Sequence, residues 1–363
     1  MVRVLQVVTY MGRGGLETML MNYYRHMDRS KVQFDFLVHR DFEADYDKEI
    51  QSLGGNIYHI SRLIPWRKSY RIELKKFFAE HPEYKIVHVH QDCLSAVALQ
   101  CAKESGIPVR ISHSHNSNQN KNLKYFVKLY YMKQIPMYAT DLFACSKLAG
   151  EWMFDGQPFK ILYNAIDTSK FVYSSAIANK KRKELNIEDS VVIGHIGRFN
   201  PQKNHNFLID IFAECVKINP NVKLLLVGDG EGRKKIQEKV CALGIKDKVI
   251  FTGVRSDVNE LLQAMDVFVF PSLYEGLPVT MIEAQASGLP CIMSDNISEE
   301  CIVTNGLVTR KQLNESPRMW AKSVLQQSHN FRKNHNKEIQ AAGYDISTAA
   351  KWLEQFYLRN KEE

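Results

Sequence analysis

Glu275 and Glu283 stand eight residues apart in Phe270-Pro-Ser-Leu-Tyr-Glu-Gly-Leu-Pro-Val-Thr-Met-Ile-Glu283, where an apolar strand pattern runs into a Gly-Pro turn that opens a helix. Pro278 suits the first helical turn, because its missing N–H would have no intrahelical acceptor there. Gly288 is placed to end the helix. The N–H groups of Gly276, Leu277, Val279 and Thr280 are then directed away from the sheet beside the positive end of the helix dipole, where a phosphate is the natural guest. Two carboxylates next to a phosphate are reconciled by a ligand that also carries hydroxyl groups, which carboxylates accept strongly. A sugar nucleotide is such a ligand, with Glu283 on its ribose and Glu275 on its sugar. The plainer alternative makes Glu275 a turn cap and Glu283 a solvated helix residue.

A second group follows the strand pattern VVIGHI: Gly197-Arg198-Phe-Asn-Pro-Gln-Lys203-Asn. Arg offers a planar fork to phosphate oxygens and Lys a mobile point charge, so the pair can neutralise a departing diphosphate. Near the N-terminus, Gly12-Arg-Gly14-Gly15-Leu-Glu17 follows the first strand and precedes a helix, which lets the backbone approach a phosphate at Gly14 and Gly15. It is not the dinucleotide pattern G-x-G-x-x-G, since Glu17 holds the third glycine's place. In Ser112-His113-Ser-His115-Asn116 two histidines end another strand. His115, with His113 as the alternative, is the candidate to face a reacting sugar, against the commoner outcome of an ordinary histidine.

Three further patterns carry less. Gly228-Asp-Gly230-Glu-Gly232 stops short of a full dinucleotide loop and reads as lining a nucleotide pocket. Asp45-Tyr-Asp47 has the D-x-D spacing of metal-dependent sugar transferases but starts a charged, solvent-facing helix. His88 and His90 alternate within the strand KIVHVH and share a face; with no further ligand cluster beside them, no metal site is expected.

These residues need a scaffold that brings strand ends together. Short apolar runs alternate with helical periodicity from VRVLQVVTY to FKILYNA, and again, after the polar stretch Thr168 to Ser190, from VVIGHIGRF to PCIMS. That alternation argues for α/β architecture: two Rossmann-like, doubly wound domains facing a central cleft, with ligands at the strand C-terminal ends. The boundary falls near residue 165, giving an N-terminal domain over 1–165 and a C-terminal one over 166–345. A last helix, 346–363, shows an apolar face at Ala349, Trp352, Leu353 and Phe356 and is expected to pack back on the first domain.

The 363 residues suit two domains, and 45% hydrophobic with 24% charged is the composition of a globular chain. No apolar run reaches the roughly 18 to 20 residues that span a bilayer, and the opening stretch reads as a strand, not a signal peptide. Seven cysteines without a C-x-x-C pair suggest neither disulfides nor zinc, so the cytoplasm is the expected compartment. The net charge of +8 is concentrated in residues 1–165, with 22 Lys/Arg against 16 Asp/Glu, which favours an anionic partner. Lys121, Lys124 and Lys128 form a stripe beside Leu123, Phe126, Val127 and Tyr130, a pattern shared by interfacial helices at the inner face of an anionic membrane and by ordinary solvated helices. Without aromatic interleaving or a recognisable module, nucleic acid is not an expected partner.

Taken together, these segments resemble the retaining glycosyltransferases of the GT-B fold, specifically family 4, which builds bacterial capsular, exopolysaccharide and lipopolysaccharide glycans. The likeness runs over nearly the whole chain. Glu275 and Glu283 match the family's E-x7-E motif, Arg198 and Lys203 its phosphate-binding pair, and Gly14 and Gly15 its glycine-rich first loop. The resemblance implies a donor, a nucleotide diphosphate sugar (UDP expected), held by the C-terminal domain, and a glycan or lipid-linked oligosaccharide acceptor on the N-terminal one. It implies no metal or other cofactor. It also places Phe251-Thr-Gly-Val254-Arg255 at the base and His115 at the donor sugar. Asn164-Ala165-Ile-Asp167 departs from the usual Asn-Gly. Catalysis by His115, Arg198, Lys203 and Glu275 would then be electrostatic and positional, with retention. The rival readings are a sugar-nucleotide 2-epimerase of the same plan and a non-catalytic nucleotide-binding subunit.

Overall fold

The structure, a computed structural model, describes residues 1–116 and 125–360. The chain divides into two compact units, Met1–Ala165 joined by the stretch from Asp345, and Ile166–Tyr344.

The first unit is built on seven strands: β1 (Val2–Val8), β2 (Val32–Val38), β3 (Ile57–His59), β4 (Ile86–Val89), β5 (Val109–Ser114), β6 (Asp141–Ala144) and β7 (Lys160–Ile161). Their order is β3-β2-β1-β4-β5-β6-β7, with neighbouring strands parallel. Helices cover both faces of such a sheet, so its inner strands are buried on both sides: all seven residues of β2 are buried, Gln33 and Asp35 among them, with Asp35 accepting from Arg3. The second unit has six strands: β8 (Val191–Ile196), β9 (Val222–Val227), β10 (Val249–Phe251), β11 (Val267–Phe270), β12 (Cys291–Ser294) and β13 (Val308–Lys311). They run β10-β9-β8-β11-β12-β13, again parallel. In each unit the winding direction reverses between the first strand and a central neighbour, β1/β4 and β8/β11. The loops leaving such a pair splay to opposite faces and open a crevice at the strand C-terminal ends.

The last helix, Ile346–Arg359, is capped by Asp345, whose carboxylate accepts from the Thr348 N–H at 3.0 Å. It joins the core of the first unit: Ala350, Leu353, Phe356 and Tyr357 cluster with Val4, Phe34 and Phe36, each fully buried large side chain contributing about 1.5–3 kcal/mol. The buried stripe is turned from the expected one. Trp352 is 40% exposed, while Ala350 and Tyr357, absent from the sequence stripe, are fully buried. The Glu354 carboxylate also faces inward and accepts from the Asp28 N–H at 2.9 Å.

The Asp45-Tyr-Asp47 segment departs from the solvated face read in the sequence. Tyr46 and Asp47 are buried, because the Asp47 carboxylate turns back to take the Ala44 N–H at 2.8 Å and Tyr46 lies beneath the guanidinium groups of Arg13 and Arg25.

Candidate active site

In the second unit, β8 and β11 deliver their loops to the same crevice. The β8 loop makes one tight turn, Pro201–Lys203, started by Asn200, whose Oδ1 accepts from the Lys203 N–H at 3.1 Å. Asn204 closes it in the left-handed region at φ +54°, a conformation Asn tolerates better than most residues. This turn is fastened to the β11 loop. Asn204 Nδ2 donates to the Pro271 carbonyl at 3.1 Å, and the Leu273 N–H to the Gln202 carbonyl at 2.8 Å. Gln202 Nε2 donates to the Tyr274 carbonyl at 3.0 Å and to Glu275 Oε2 at 3.2 Å.

That fastening brings Lys203 and Glu275 into one ion pair. Nζ lies 2.8 Å from Oε1, with side chains 16% and 8% exposed. The ammonium also stands 4.6 Å from the centre of the Phe270 ring, a favourable placement over a π face. Arg198, one turn upstream, is exposed, and its guanidinium makes no hydrogen bond or ion pair with any described residue. A paired cation and an unpaired one therefore lie on the same short loop.

The β11 loop then enters the helix Val279–Ala286. Pro278 precedes it with ψ 108°, no side chain caps it, and the Met281 N–H bonds the Pro278 carbonyl at 3.0 Å. The N–H groups of Val279 and Thr280 are among those that no intrahelical carbonyl can take, beside the nearly buried Leu277. The Thr280 hydroxyl is buried with no partner among the described residues. Gly288 ends the helix at φ +62°.

Glu283 lies inside this helix, 8% exposed, without a side-chain hydrogen bond or ion pair to a described residue. It is not the solvated helix residue of the plainer alternative. Burial pushes its carboxyl up to about 7, because the charged form has lost water and gained no compensating charge.

Gly228 has a structural cause. It sits at φ +131°, and a Cβ there would collide with the Gly197 carbonyl, so the loop after β9 can lie flat on the β8 loop only without a side chain. The Phe199 N–H to Asp229 carbonyl bond of 3.0 Å and the Gly232 N–H to Phe199 carbonyl bond of 2.9 Å hold the two together. Gly228 also donates to the Gly253 carbonyl at 2.8 Å, which brings Val254, 53% exposed, to the same edge. Arg255 is less available: its Nε and Nη2 bind the two oxygens of Asp257 at 2.8 and 2.7 Å.

In the first unit, Gly14 and Gly15 begin the helix Gly15–His26 with no side-chain cap. The Glu17 carboxylate reaches over Gly14, so an anion at this helix start would have to displace it. His115 follows β5, its Nε2 2.8 Å from His90 Nδ1 and its own Nδ1 buried with no partner among the described residues. Burial pushes this ring down to about 3, leaving it neutral and unsuited to general base work at neutral pH. Asn116, next along, donates to the Asp92 carboxylate at 2.9 Å. His113 is fully buried. His88 and His90, treated in the sequence as lacking companions, lie beside both His113 and His115.

Two residues the sequence reading did not single out, Asn200 and Gln202, build the Lys203–Glu275 geometry. Their only sequence signal is position: Asn three residues ahead of Lys203 with Pro between them, an N-cap pattern.

Two doubly wound parallel sheets, with charged side chains gathered at the strand ends of the second, fit the plan of a glycosyltransferase, and the comparisons with known proteins show that class. Residues 177–339 match the family model for glycosyl transferases group 1, and residues 13–170 that for glycosyltransferase family 4. The chain is 38% identical to the putative glycosyltransferase EpsF of Bacillus subtilis over 336 residues, covering 89% of this chain and 86% of that one. It is 29% identical to an Escherichia coli UDP-Gal:alpha-D-GlcNAc-diphosphoundecaprenol alpha-1,3-galactosyltransferase over 238 residues, 61% of each. The crystal structure of Anabaena HepE in complex with UDP and glucose superposes with a TM-score of 0.82 at 18% identity, covering 98% of this chain and 99% of that one. The chain belongs to the family 4 glycosyltransferases and has their GT-B fold.

Proposed function

We propose that this glycosyltransferase takes its sugar from a nucleotide diphosphate donor, a UDP-sugar, and transfers it with retention to a glycan or lipid-linked acceptor during cell-surface polysaccharide assembly. The observation that carries the reading is the Lys203–Glu275 pair at the β8/β11 switch point, with the unpaired Arg198 on the same loop and the buried Glu283 on the adjoining helix. The diphosphate binds Arg198, Lys203 and the N–H groups at the start of the helix Val279–Ala286, while Glu283 accepts from the ribose and Glu275 from the sugar. The bond between the anomeric carbon and the β-phosphate oxygen breaks. The acceptor hydroxyl oxygen bonds that carbon on the same face, and its proton passes to the departing phosphate oxygen. No protein nucleophile takes part, and stabilisation of the leaving diphosphate by fixed charges supplies the rate. The acceptor is assigned to the first unit, which carries His115. The UDP and lipid-linked choices are supported by what the Escherichia coli relative acts on and by UDP in the HepE structure.

A membrane role is supported by the helix Tyr125–Met132, which leaves Phe126 76% and Tyr130 63% exposed; Lys121 to Lys124 of the lysine stripe lie outside the described residues. No helix among the described residues is long and apolar enough to cross a membrane; the attachment proposed is peripheral, at the inner face.

The test is product analysis with a panel of UDP-sugars and undecaprenyl-diphosphate-linked acceptors. Formation of an α-linked product from an α-linked donor supports the proposal. Net inversion, or conversion of donor to a 2-epimer and free UDP without acceptor, would replace it.

A further inference from the structure

Four histidines form a square on one face of the first sheet. His88 lies in β4 and His90 just beyond it, His113 in β5 and His115 just beyond it. Residues two apart share a strand face, and the parallel register that sets His88 beside Ile111 carries the second pair alongside the first. Ring centres are 4.3 Å apart for His88 and His90, 5.2 Å for His88 and His113, and 5.3 Å for His90 and His113. One ring nitrogen from each of these three lies within 4.8 Å of those of the other two, and the three side chains are at most 4% exposed.

His88 and His90 each engage one nitrogen with a residue outside the cluster, and His90 Nδ1 also faces His115 Nε2 at 2.8 Å. His88 Nδ1 is 2.8 Å from the Tyr357 hydroxyl and His90 Nε2 is 2.9 Å from the Gln6 carboxamide oxygen. A carboxamide oxygen only accepts, so the His90 proton sits on Nε2 and its lone pair on Nδ1. His88 Nε2 and both nitrogens of His113 are buried with no partner among the described residues. Three orphaned imidazole nitrogens in one buried cluster are unusual, since buried polar groups are nearly always satisfied. A histidine that donates one N–H to a fixed acceptor while turning the other nitrogen inward is also the usual arrangement around a bound metal.

We infer that His88, His90 and His113 form a binding site for one divalent transition-metal ion of the zinc type within the first unit. Imidazole donors suit Zn2+ over the oxygen-seeking Mg2+ or Ca2+. Zinc takes histidine nitrogens at about 2.0–2.1 Å in a tetrahedral arrangement, which sets ligand nitrogens roughly 3.4 Å apart, so the rings close in by about an ångström on loading. Water completes the set, and His115 gives up only its bond to His90 Nδ1. The ion ties β4 to β5 and, through Tyr357, to the closing helix. Its role is structural, and it takes no part in breaking the donor bond, so the site stands or falls independently of the proposed transfer reaction.

The test uses the full-length, untagged protein, stripped with a chelator and titrated with Co2+, followed by its visible absorption, and with Zn2+ by calorimetry. One equivalent should bind with micromolar or tighter affinity and give the intense absorption of tetrahedral cobalt. His113→Gln should weaken binding at least 100-fold. Tyr357→Phe, which keeps all three ligands and the packing of the ring, should weaken it about 10-fold through loss of the outer hydrogen bond; this second variant decides the matter if the first does not fold. Absence of saturable uptake by the wild-type protein, or equal uptake by wild type and both variants, overturns the site. So would a crystal soaked in Zn2+ that shows ordered water and no anomalous peak among the three rings.

Discussion

Between pH 5.5 and 8 the affinity of the protein for a UDP-sugar should rise about 30-fold, and the rise should belong to Glu283. Burial pushes this carboxyl up to about 7. It is then ionised in about 3% of molecules at pH 5.5 and about 90% at pH 8. If the ribose hydroxyls bind the ionised form, the affinity follows that ratio. A UDP-sugar is the right probe because its diphosphate is esterified at both ends and keeps a constant charge over this range, which free UDP does not. Stability moves the other way in the empty protein. The folded value lies above the reference of 4.5, so between about 4.5 and 7 the folded state holds a proton that the unfolded state has lost, and folding weakens as pH rises, by at most about 3 kcal/mol. Isothermal titration at several pH values reads the affinity and denaturant unfolding the stability, with Glu283→Gln alongside in both. The variant should bind about 10- to 100-fold more weakly at pH 8, the value of a lost charged hydrogen bond, and its affinity should be flat with pH. A flat wild-type profile, or an equal slope in Glu283→Gln, would refute the assignment of Glu283 to the donor.

Other perturbations separate chemistry from folding. Lys203→Ala should lower turnover about 10²- to 10³-fold, and it should also lower the melting temperature, because it takes the ammonium away from an enclosed Glu275 carboxylate at a cost of up to about 3 kcal/mol. Adding Glu275→Gln should recover most of the melting temperature and none of the turnover; recovery of turnover would remove both residues from the mechanism. Arg198→Ala removes an exposed, unpaired side chain, so a thermal scan should move by no more than about 0.5 kcal/mol equivalent while kcat/KM falls about 100-fold. Leu353→Ala should destabilise the first unit by about 2–5 kcal/mol, measured by denaturant unfolding, through the cavity it leaves between the closing helix and the sheet.

The strands other than β13 were legible because a parallel sheet covered on both faces demands apolar runs, and VFVF can be little else, whereas β13, Val308–Lys311, is half polar and was not read. The resemblance to family 4 rested on motifs at strand ends, which an alternating chain displays in linear order. The closing helix shows where such reading falters. Trp352 is the most conspicuous apolar residue in it, yet its ring lies beside Phe143 and Phe356 at the edge of the core while the smaller Ala350 faces the sheet. Hydrophobicity alone does not tell which side of a broad stripe is buried. Asn200 and Gln202 escaped notice because a loop has no period; the Asn200 side chain bonds only three residues on, to Lys203, while the Gln202 side chain reaches Tyr274 and Glu275, about 70 positions downstream. The histidine square escaped for another reason. Each His-x-His pair is visible by itself, but their meeting depends on β4 and β5 being neighbours, a fact of sheet order that periodicity does not carry.

The Lys203–Glu275 bond bears on how such a site would be used. An ion pair this well enclosed holds both groups in place while the site is empty, at the cost of stripping much of their water. A diphosphate arriving beside Arg198 brings negative charge that Lys203 can engage without leaving its loop, since Asn200 and Gln202 fix the backbone at both sides of the turn. As the ammonium turns toward phosphate, the Glu275 carboxylate regains acceptor capacity at the moment a sugar hydroxyl comes within reach. Donor binding would thus exchange one internal bond for two to the ligand, and neither group would have to be organised from disorder. The exchange has a kinetic consequence that equilibrium binding does not share. In Glu275→Gln the ammonium is no longer held by a carboxylate, so the donor should associate faster than with the wild-type protein in stopped-flow mixing, even if the complex it forms turns over more slowly. Equal or slower association in that variant would mean that the pair does not open for the donor.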